Sequence, residues 1–273
     1  MKIAAFYDNV RTGAQGAGLS LTEAVKILQA EGLELLYFAE RSFQQDEAMI
    51  RQTMAETGIG TEGMYQYCFY ADNPGDRGYE SLIDQTAELG GTSILILPGF
   101  LPKDAPDYEQ KRQNIVDVLR RAVVYGAEKG IAVSLEDCDF LESPVSTIAG
   151  LEYFFKEVPE LRCALDTGNF IMYGDDEVAA LDCFKDRLCT VHLKDRSAEP
   201  RNPGDRPKAI WNGTNAYPAV VGTGYIRVKE IIGKLKAMGY SKNLIVEQFE
   251  YRDDQMLEGL KNSVRWVREQ WNA

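Results

Sequence analysis

The sequence predicts a closed (β/α)8 barrel, a single domain over residues 1–273. Three observations predict it. Eight short apolar runs recur along the chain, beginning near Ile3, Leu33, Met64, Ser93, Ile131, Leu161, Cys189 and Leu244. The first four starts are 30, 31 and 29 residues apart, the length of one strand, one helix and two loops. The runs are continuous rather than alternating, as strands covered on both faces should be. Eight such units in 273 residues fit a barrel of about 250 residues.

The gaps between runs read as helices. Ser20 and Glu23 have the spacing of a capping box, and Leu21, Val25 and Leu28 continue as one apolar stripe. A weaker segment over about 44–57 carries Ile50 and Met54 four apart. Tyr79, Leu82, Ile83 and Ala87 form the third stripe, and Ile115, Leu119, Ala122 and Val123 mark a helix over about 107–129. Ser143 followed by Pro144 predicts an N-cap with proline at the first helical position, leading into Ile148, Leu151 and Phe155. Asp175, Asp176 and Glu177 favour a helix N-terminus. The last two stripes hold Val228, Ile231, Ile232 and Leu235, then Met256, Leu257, Leu260, Val264 and Val267. One segment breaks the rhythm, a long loop at about 195–226 after the seventh run, with Trp211, Tyr217, Arg196, Arg201, Arg206 and Lys208. It reads either as a solvated surface loop or as a lid on the catalytic face, and its place after strand seven favours the lid.

Composition narrows the partners. A net charge of −12 opposes binding to nucleic acid and to anionic membranes. No apolar run approaches the roughly 18 residues of a membrane span. The N-terminal MKIAAFYDNV turns polar too soon for a signal peptide, and five cysteines without CxxC pairing read as reduced residues. Both point to a cytoplasmic protein.

The chemistry gathers at strand ends. His192 is the sole histidine, set near the end of the run CTVHL and followed by Lys194, Asp195 and Arg196. The fifth run ends in Glu136, the sixth in Asp166, and the eighth leads into Glu247. In a closed barrel these ends converge on one rim. Three buried carboxylates crowded together would repel and be driven toward protonation, and a divalent cation resolves the conflict. Three oxygens and one nitrogen suit one ion of Mn²⁺, Mg²⁺, Co²⁺ or Zn²⁺, with Mn²⁺ the first choice on ligand softness.

The segments LED at 135–137, DTGN at 166–169, HLKD at 192–195, GTG at 222–224 and VE at 246–247 resemble the xylose isomerase-like barrel superfamily. That group includes sugar isomerases and epimerases, hydroxypyruvate isomerase, inosose dehydratase and an apurinic DNA endonuclease. The resemblance covers nearly the whole chain. It implies that Glu136, Asp166, His192 and Glu247 hold a single metal ion, and that Glu136 and Glu247 are the catalytic acid/base pair. Many sugar epimerases of the family have histidine where this chain has Asn169. Asparagine can hydrogen-bond a hydroxyl but cannot carry a proton, which makes Asn169 an expected substrate contact. Asp137 stands where asparagine is frequent, and reads as an orienting residue or a cap.

The expected reaction is isomerisation or epimerisation of a sugar or sugar phosphate by proton transfer through an enediolate, one glutamate removing the proton and the other returning it. Lys194 points inward to substrate or forms a strand-end salt bridge with Asp195 or a neighbour. Arg196 is expected to meet substrate oxygens or a phosphate. Gly222 and Gly224 allow close approach of a ligand or simply form a turn. Trp211, with Phe6 and Tyr7, is expected against a sugar's apolar face, although the last two fit barrel filling equally well. A dehydratase of the same superfamily would use the same metal and proton abstraction. A barrel that binds sugar without turnover is the reading from another class. A multi-metal DNA nuclease is disfavoured by the single histidine and the acidic charge. Barrels of this family often associate, so a homo-oligomer is among the expected assemblies.

Overall fold

The computed structural model describes residues 1–140 and 142–273. β1 (Ile3–Phe6) runs directly into α1 (Tyr7–Gly16), and α2 (Leu21–Glu31), β2 (Leu33–Ala39), α3 (Glu40–Thr57) and β3 (Gly60–Tyr67) follow. Next come α4 (Gly78–Glu88), β4 (Ser93–Leu97), α5 (Tyr108–Lys129), β5 (Ala132–Glu136), α6 (Ile148–Glu157), β6 (Arg162–Asp166) and α7 (Glu177–Phe184). The chain closes with β7 (Leu188–Leu193), β8 (Asp195–Ser197), β9 (Lys208–Ala209), β10 (Asn215–Ala219), α8 (Val228–Ala237), β11 (Asn243–Val246) and α9 (Met256–Asn272). Eight strands form a closed parallel barrel in the order β1-β11-β7-β6-β5-β4-β3-β2, the expected (β/α)8 architecture. Each of the eight apolar runs supplies one barrel strand.

Contacts group the residues into two compact units, Met1–Glu62 with Thr190–Ala273, and Gly63–Cys189. In the first, β1 pairs with β2 and β11, and β11 pairs with β7 so that Ile245 lies beside His192. In the second, β4 lies between β3 and β5, and β5 pairs with β6 with Glu136 beside Ala164. Among the described residues no helix is long and apolar enough to cross a membrane. All five cysteines are free, with Cys68, Cys138 and Cys163 buried.

Side-chain caps start three of the helices, α2, α6 and α7. Ser20 accepts the Glu23 N–H at 3.3 Å while Glu23 accepts the Ser20 N–H at 2.9 Å, so the expected capping box is present. Asp176 accepts the N–H groups of Val178 and Ala179 and caps α7. Two expectations differ. The cap of α6 is Thr147, whose hydroxyl accepts the Gly150 N–H at 3.1 Å, and not Ser143. Ser143 and Pro144 lie in the turn before it, and the Ser143 carbonyl accepts from the Ser146 hydroxyl instead. The helix α1 has no counterpart in the sequence reading. It begins at the strand end with no capping side chain, and its stripe is short and broken by glycines.

The stretch after β7 carries a small antiparallel sheet in the order β8-β10-β9. Its base is fastened by Asp195. That carboxylate accepts N–H groups from Arg196 at 2.8 Å, Gly222 at 2.9 Å, Gly224 at 2.9 Å and Ile226 at 3.2 Å. The two glycines therefore serve a close approach within the chain. A Cβ at Gly224 would fall on the Asp195 carboxylate and the Arg196 carbonyl, and Gly222 sits at φ +88° against the Trp266 ring. Gly224→Ala is expected to lower stability to urea by about 2 kcal/mol, the scale of overpacking. Gly233→Ala in α8, where nothing lies within 4 Å, is expected to be neutral or stabilising. Denaturation curves of the two variants check the contrast.

Candidate metal centre

The barrel strands end in the residues that carry chemistry. In the second unit, β5 ends at Glu136 and β6 at Asp166, with 6% and 0% of their surfaces exposed. Asp137 buttresses them. Its carboxylate accepts the Asp166 N–H at 3.1 Å, and its carbonyl accepts from Asn169 Nδ2 at 2.9 Å. Asp166 in turn accepts the Gly168 N–H at 2.8 Å. Asp137 thus acts as the orienting residue rather than as a helix cap, and Asn169 is buried against it. Burial first, then the charges of Asp166 and Glu136, push the Asp137 carboxyl well above the ordinary carboxylate range.

In the first unit, His192 on β7 is fully buried, with its imidazole edge-on to Phe6 at 5.2 Å and to Tyr37 at 5.5 Å. Glu247 follows β11 and stays on the ladder, its N–H donating to the Leu193 carbonyl at 3.0 Å. Its carboxylate lies 3.4 Å from His192 Nδ1 and forms an ion pair with Lys194. Lys194 is 6% exposed, and of the two expected partners for its strand-end bridge, Asp195 or a neighbour, it takes the neighbour Glu247. Burial pushes the Glu247 carboxyl up, but Lys194 and His192 outweigh it and hold the group at about 2.

A chain of polar contacts anchors the Glu247 turn. The Gln248 N–H donates to Asn9 Oδ1 at 2.9 Å, Gln248 Oε1 accepts from Ser263 Oγ at 3.1 Å, and that hydroxyl accepts the Val221 N–H at 3.1 Å. None of Asn9, Gln248 and Ser263 stands out in the sequence. Asn9 lies in the unanticipated helix α1, and the other two pair across 15 residues with no pattern to mark them.

Glu136, Asp166, His192 and Glu247 each offer one ligand atom, and these atoms all lie within 4.8 Å of one another. All four residues are buried. Three carboxylate oxygens and one imidazole nitrogen at that spacing form a donor set that fits a single divalent cation.

The other expected contacts fall at different places. Arg196 is 1% exposed and pairs with Glu250, which Lys208 Nζ also meets at 2.9 Å. Phe6 packs edge-on to His192, Tyr37 and Phe249, and Tyr7 donates its hydroxyl to Asp46 at 2.8 Å. Both belong to the packing of the first unit. Trp211 lies in the turn between β9 and β10 and is 63% exposed.

A closed parallel barrel with a buried carboxylate–histidine cluster at its strand ends defines a class of metal-competent barrel proteins. The chain belongs to the xylose isomerase-like TIM barrel family, whose family model matches residues 22–270. It is similar to an inosose dehydratase of Geobacillus thermodenitrificans (strain NG80-2), 22% identical over 226 residues that cover 75% of this chain and 74% of the relative. Among solved structures it is similar to the IOLI protein with a bound zinc atom, at TM-score 0.75 and 15% identity over 100% of this chain and 98% of that one. It is also similar to D-psicose 3-epimerase of Clostridium cellulolyticum H10 with D-tagatose, at TM-score 0.72 and 16% identity over 99% of each chain. At these identities the structural likeness is one of fold.

The Lys194–Glu247 pair gives the site a pH signature. The folded pKa of Glu247 lies below its ordinary value of 4.5, so the stability it carries is full above that value and is lost as pH falls toward about 2. In metal-stripped protein, Lys194→Met is expected to cost about 3 kcal/mol at pH 7, by leaving a buried carboxylate without its partner. The difference from the native chain should shrink steadily as pH is lowered from 4.5 toward 2. Urea titrations at pH 7 and pH 3 with a chelator present measure it.

Proposed function

We propose that the protein is a divalent-metal-dependent isomerase or epimerase acting on a sugar or sugar phosphate, with Glu136 and Glu247 as its acid/base pair. The observation that carries this reading is the buried set Glu136, Asp166, His192 and Glu247, with ligand atoms all within 4.8 Å of one another. Mn²⁺ remains the first choice for those donors, with Mg²⁺, Co²⁺ and Zn²⁺ as the others. When bound, the ion supplies Lewis-acid polarisation of a substrate carbonyl and its neighbouring hydroxyl.

The protein's own residues do the rest. One glutamate removes the proton beside the carbonyl to give an enediolate, and the other returns a proton to the adjacent carbon or to the opposite face. Lys194 holds the Glu247 carboxylate in place and keeps it charged. Asp137 sets the Asp166 strand end and orients the Asn169 amide, the proposed contact to a substrate hydroxyl. Lys194, Arg196 and Trp211 complete the proposed substrate contacts. Burial of the four ligands keeps bulk water from competing for the intermediate.

A dehydratase is the second reading, and the similarity to an inosose dehydratase favours it. It differs only in the step after proton abstraction, where a β-hydroxyl leaves as water. Elemental analysis of the purified protein, followed by product analysis on a panel of ketoses and inososes with metal restored, separates the readings. Epimerised or isomerised ketose supports the first, and loss of water supports the second. An absence of bound metal together with metal-independent or absent turnover overturns both. Chelation is expected to abolish turnover, and Glu247→Gln to reduce it about 10³-fold.

A further inference from the structure

A second charged cluster adjoins Glu247, and the acid/base chemistry has no use for it. The Arg196 guanidinium, 1% exposed, pairs with the Glu250 carboxylate, and Lys208 Nζ meets that carboxylate's other oxygen at 2.9 Å. Lys194, which grips Glu247, acts on Glu250 as well. Burial pushes the Glu250 carboxyl up, and Arg196, Lys194 and Lys208 together pull it below its ordinary value.

The backbone at this carboxylate is strained. Glu250 sits at φ +69°, and among the described residues no other non-glycine residue has a positive φ. Glutamate lacks the short side chain that lets asparagine and aspartate settle there by local hydrogen bonding. Strain of this kind persists where the surroundings impose it, and it gathers at ligand clamps. Beside it opens a cavity of about 700 Å³, whose walls set the bases Arg206, Lys208 and Arg252 among acids that include Asp8, Glu250 and Asp253. That volume lies within the range of small-molecule sites. A buried guanidinium demands an anion, and here the anion is supplied by a strained residue whose side chain is still 31% exposed.

We propose that Glu250 is an internal placeholder, and that the substrate carries an oxyanion, carboxylate or phosphate, which takes over Arg196 and Lys208 as Glu250 turns out. This deepens the metal-dependent reading by naming the substrate as an acidic sugar, and rests on that reading for the reacting end. Planar bidentate pairing is what arginine offers either oxyanion.

Titration calorimetry on the metal-loaded protein with D-fructose, 5-keto-D-gluconate and D-fructose 6-phosphate tests it. At least one anionic ketose is expected to bind about tenfold tighter than D-fructose, and the two arms tell carboxylate from phosphate. Glu250→Gln removes the competitor and should tighten the anion further relative to D-fructose. Lys208→Ala, altered at a partly exposed position, should erase most of the preference. Equal affinities for all three ketoses, no saturable binding of either anion, or a preference untouched by Lys208→Ala overturns the proposal. Inorganic phosphate titrated into metal-stripped protein separates the two readings. Phosphate binding that depends on Lys208, in a protein that never takes up metal, keeps the oxyanion subsite and sinks the metalloenzyme. Metal-dependent turnover of neutral ketoses alone does the reverse.

Discussion

Like charges crowded at the mouth of the barrel set the terms for the rest of the structure. Three carboxylates and an imidazole present ligand atoms within 4.8 Å of one another, all buried. Two unit charges about 5 Å apart repel by about 3 kcal/mol at an effective dielectric of about 20. Such a cluster is stable only if positive charge or protons enter it. The chain supplies part of that charge through Lys194, while at Asp137 burial first, and then the neighbouring Asp166 and Glu136 charges, push the carboxyl well above the ordinary range. A divalent ion would answer the remainder, and the donors suit one.

Holding three mutually repelling carboxylates and an imidazole in place takes rigid supports. His192 is packed by two T-shaped ring contacts, with Phe6 and with Tyr37. Glu247 is held from three directions: the ladder bond to Leu193, the ion pair to Lys194, and the Asn9–Gln248–Ser263 chain behind its turn. Asp166 is fixed through its own N–H by Asp137. These supports come from β1, β2 and β7 as well as from α1, α9 and loop residues, so elements that carry no ligand help to hold the ligands. Sites built on strand ends with hydrogen-bonded supports keep their geometry better than sites on loops.

What the sequence discloses follows from the range of each interaction. Barrel strands are legible because burial on both faces forces a continuous apolar run, and the ligands are legible because each sits at the end of such a run. The Ser20 capping box is legible because its partners lie three residues apart. α1 is hidden because its residues follow β1 without a break and its stripe is thin. Thr147 is hidden behind the stronger Ser143–Pro144 signal, a pattern of caps that takes no account of Asp175, whose carboxylate accepts the Ile148 N–H at 2.7 Å and helps to fix the helix start. Lys194 and Glu247 pair across 53 residues, and Arg196 and Glu250 across 54, distances at which no local pattern exists. Glu250 also carries a backbone conformation that its residue type disfavours, so propensity points away from it.

The segment from His192 to Arg196 shows how one extended stretch serves several tasks through parity alone. Side chains alternate along a strand, so His192, Lys194 and Arg196 share one side while Asp195 faces the other. The three on the first side meet Glu247 and Glu250, two acids three residues apart beyond β11. Asp195 on the second side gathers four N–H groups and fastens the base of the β8–β10 sheet. β7 passes into β8 with only Lys194 between them, so a slip of one residue would exchange these two sides. It would place the Asp195 carboxylate among the acids at the barrel mouth and leave the turn at Gly222–Gly224 without its acceptor. Register at this one crossing is therefore held from both sides, by charge on one and by backbone hydrogen bonds on the other.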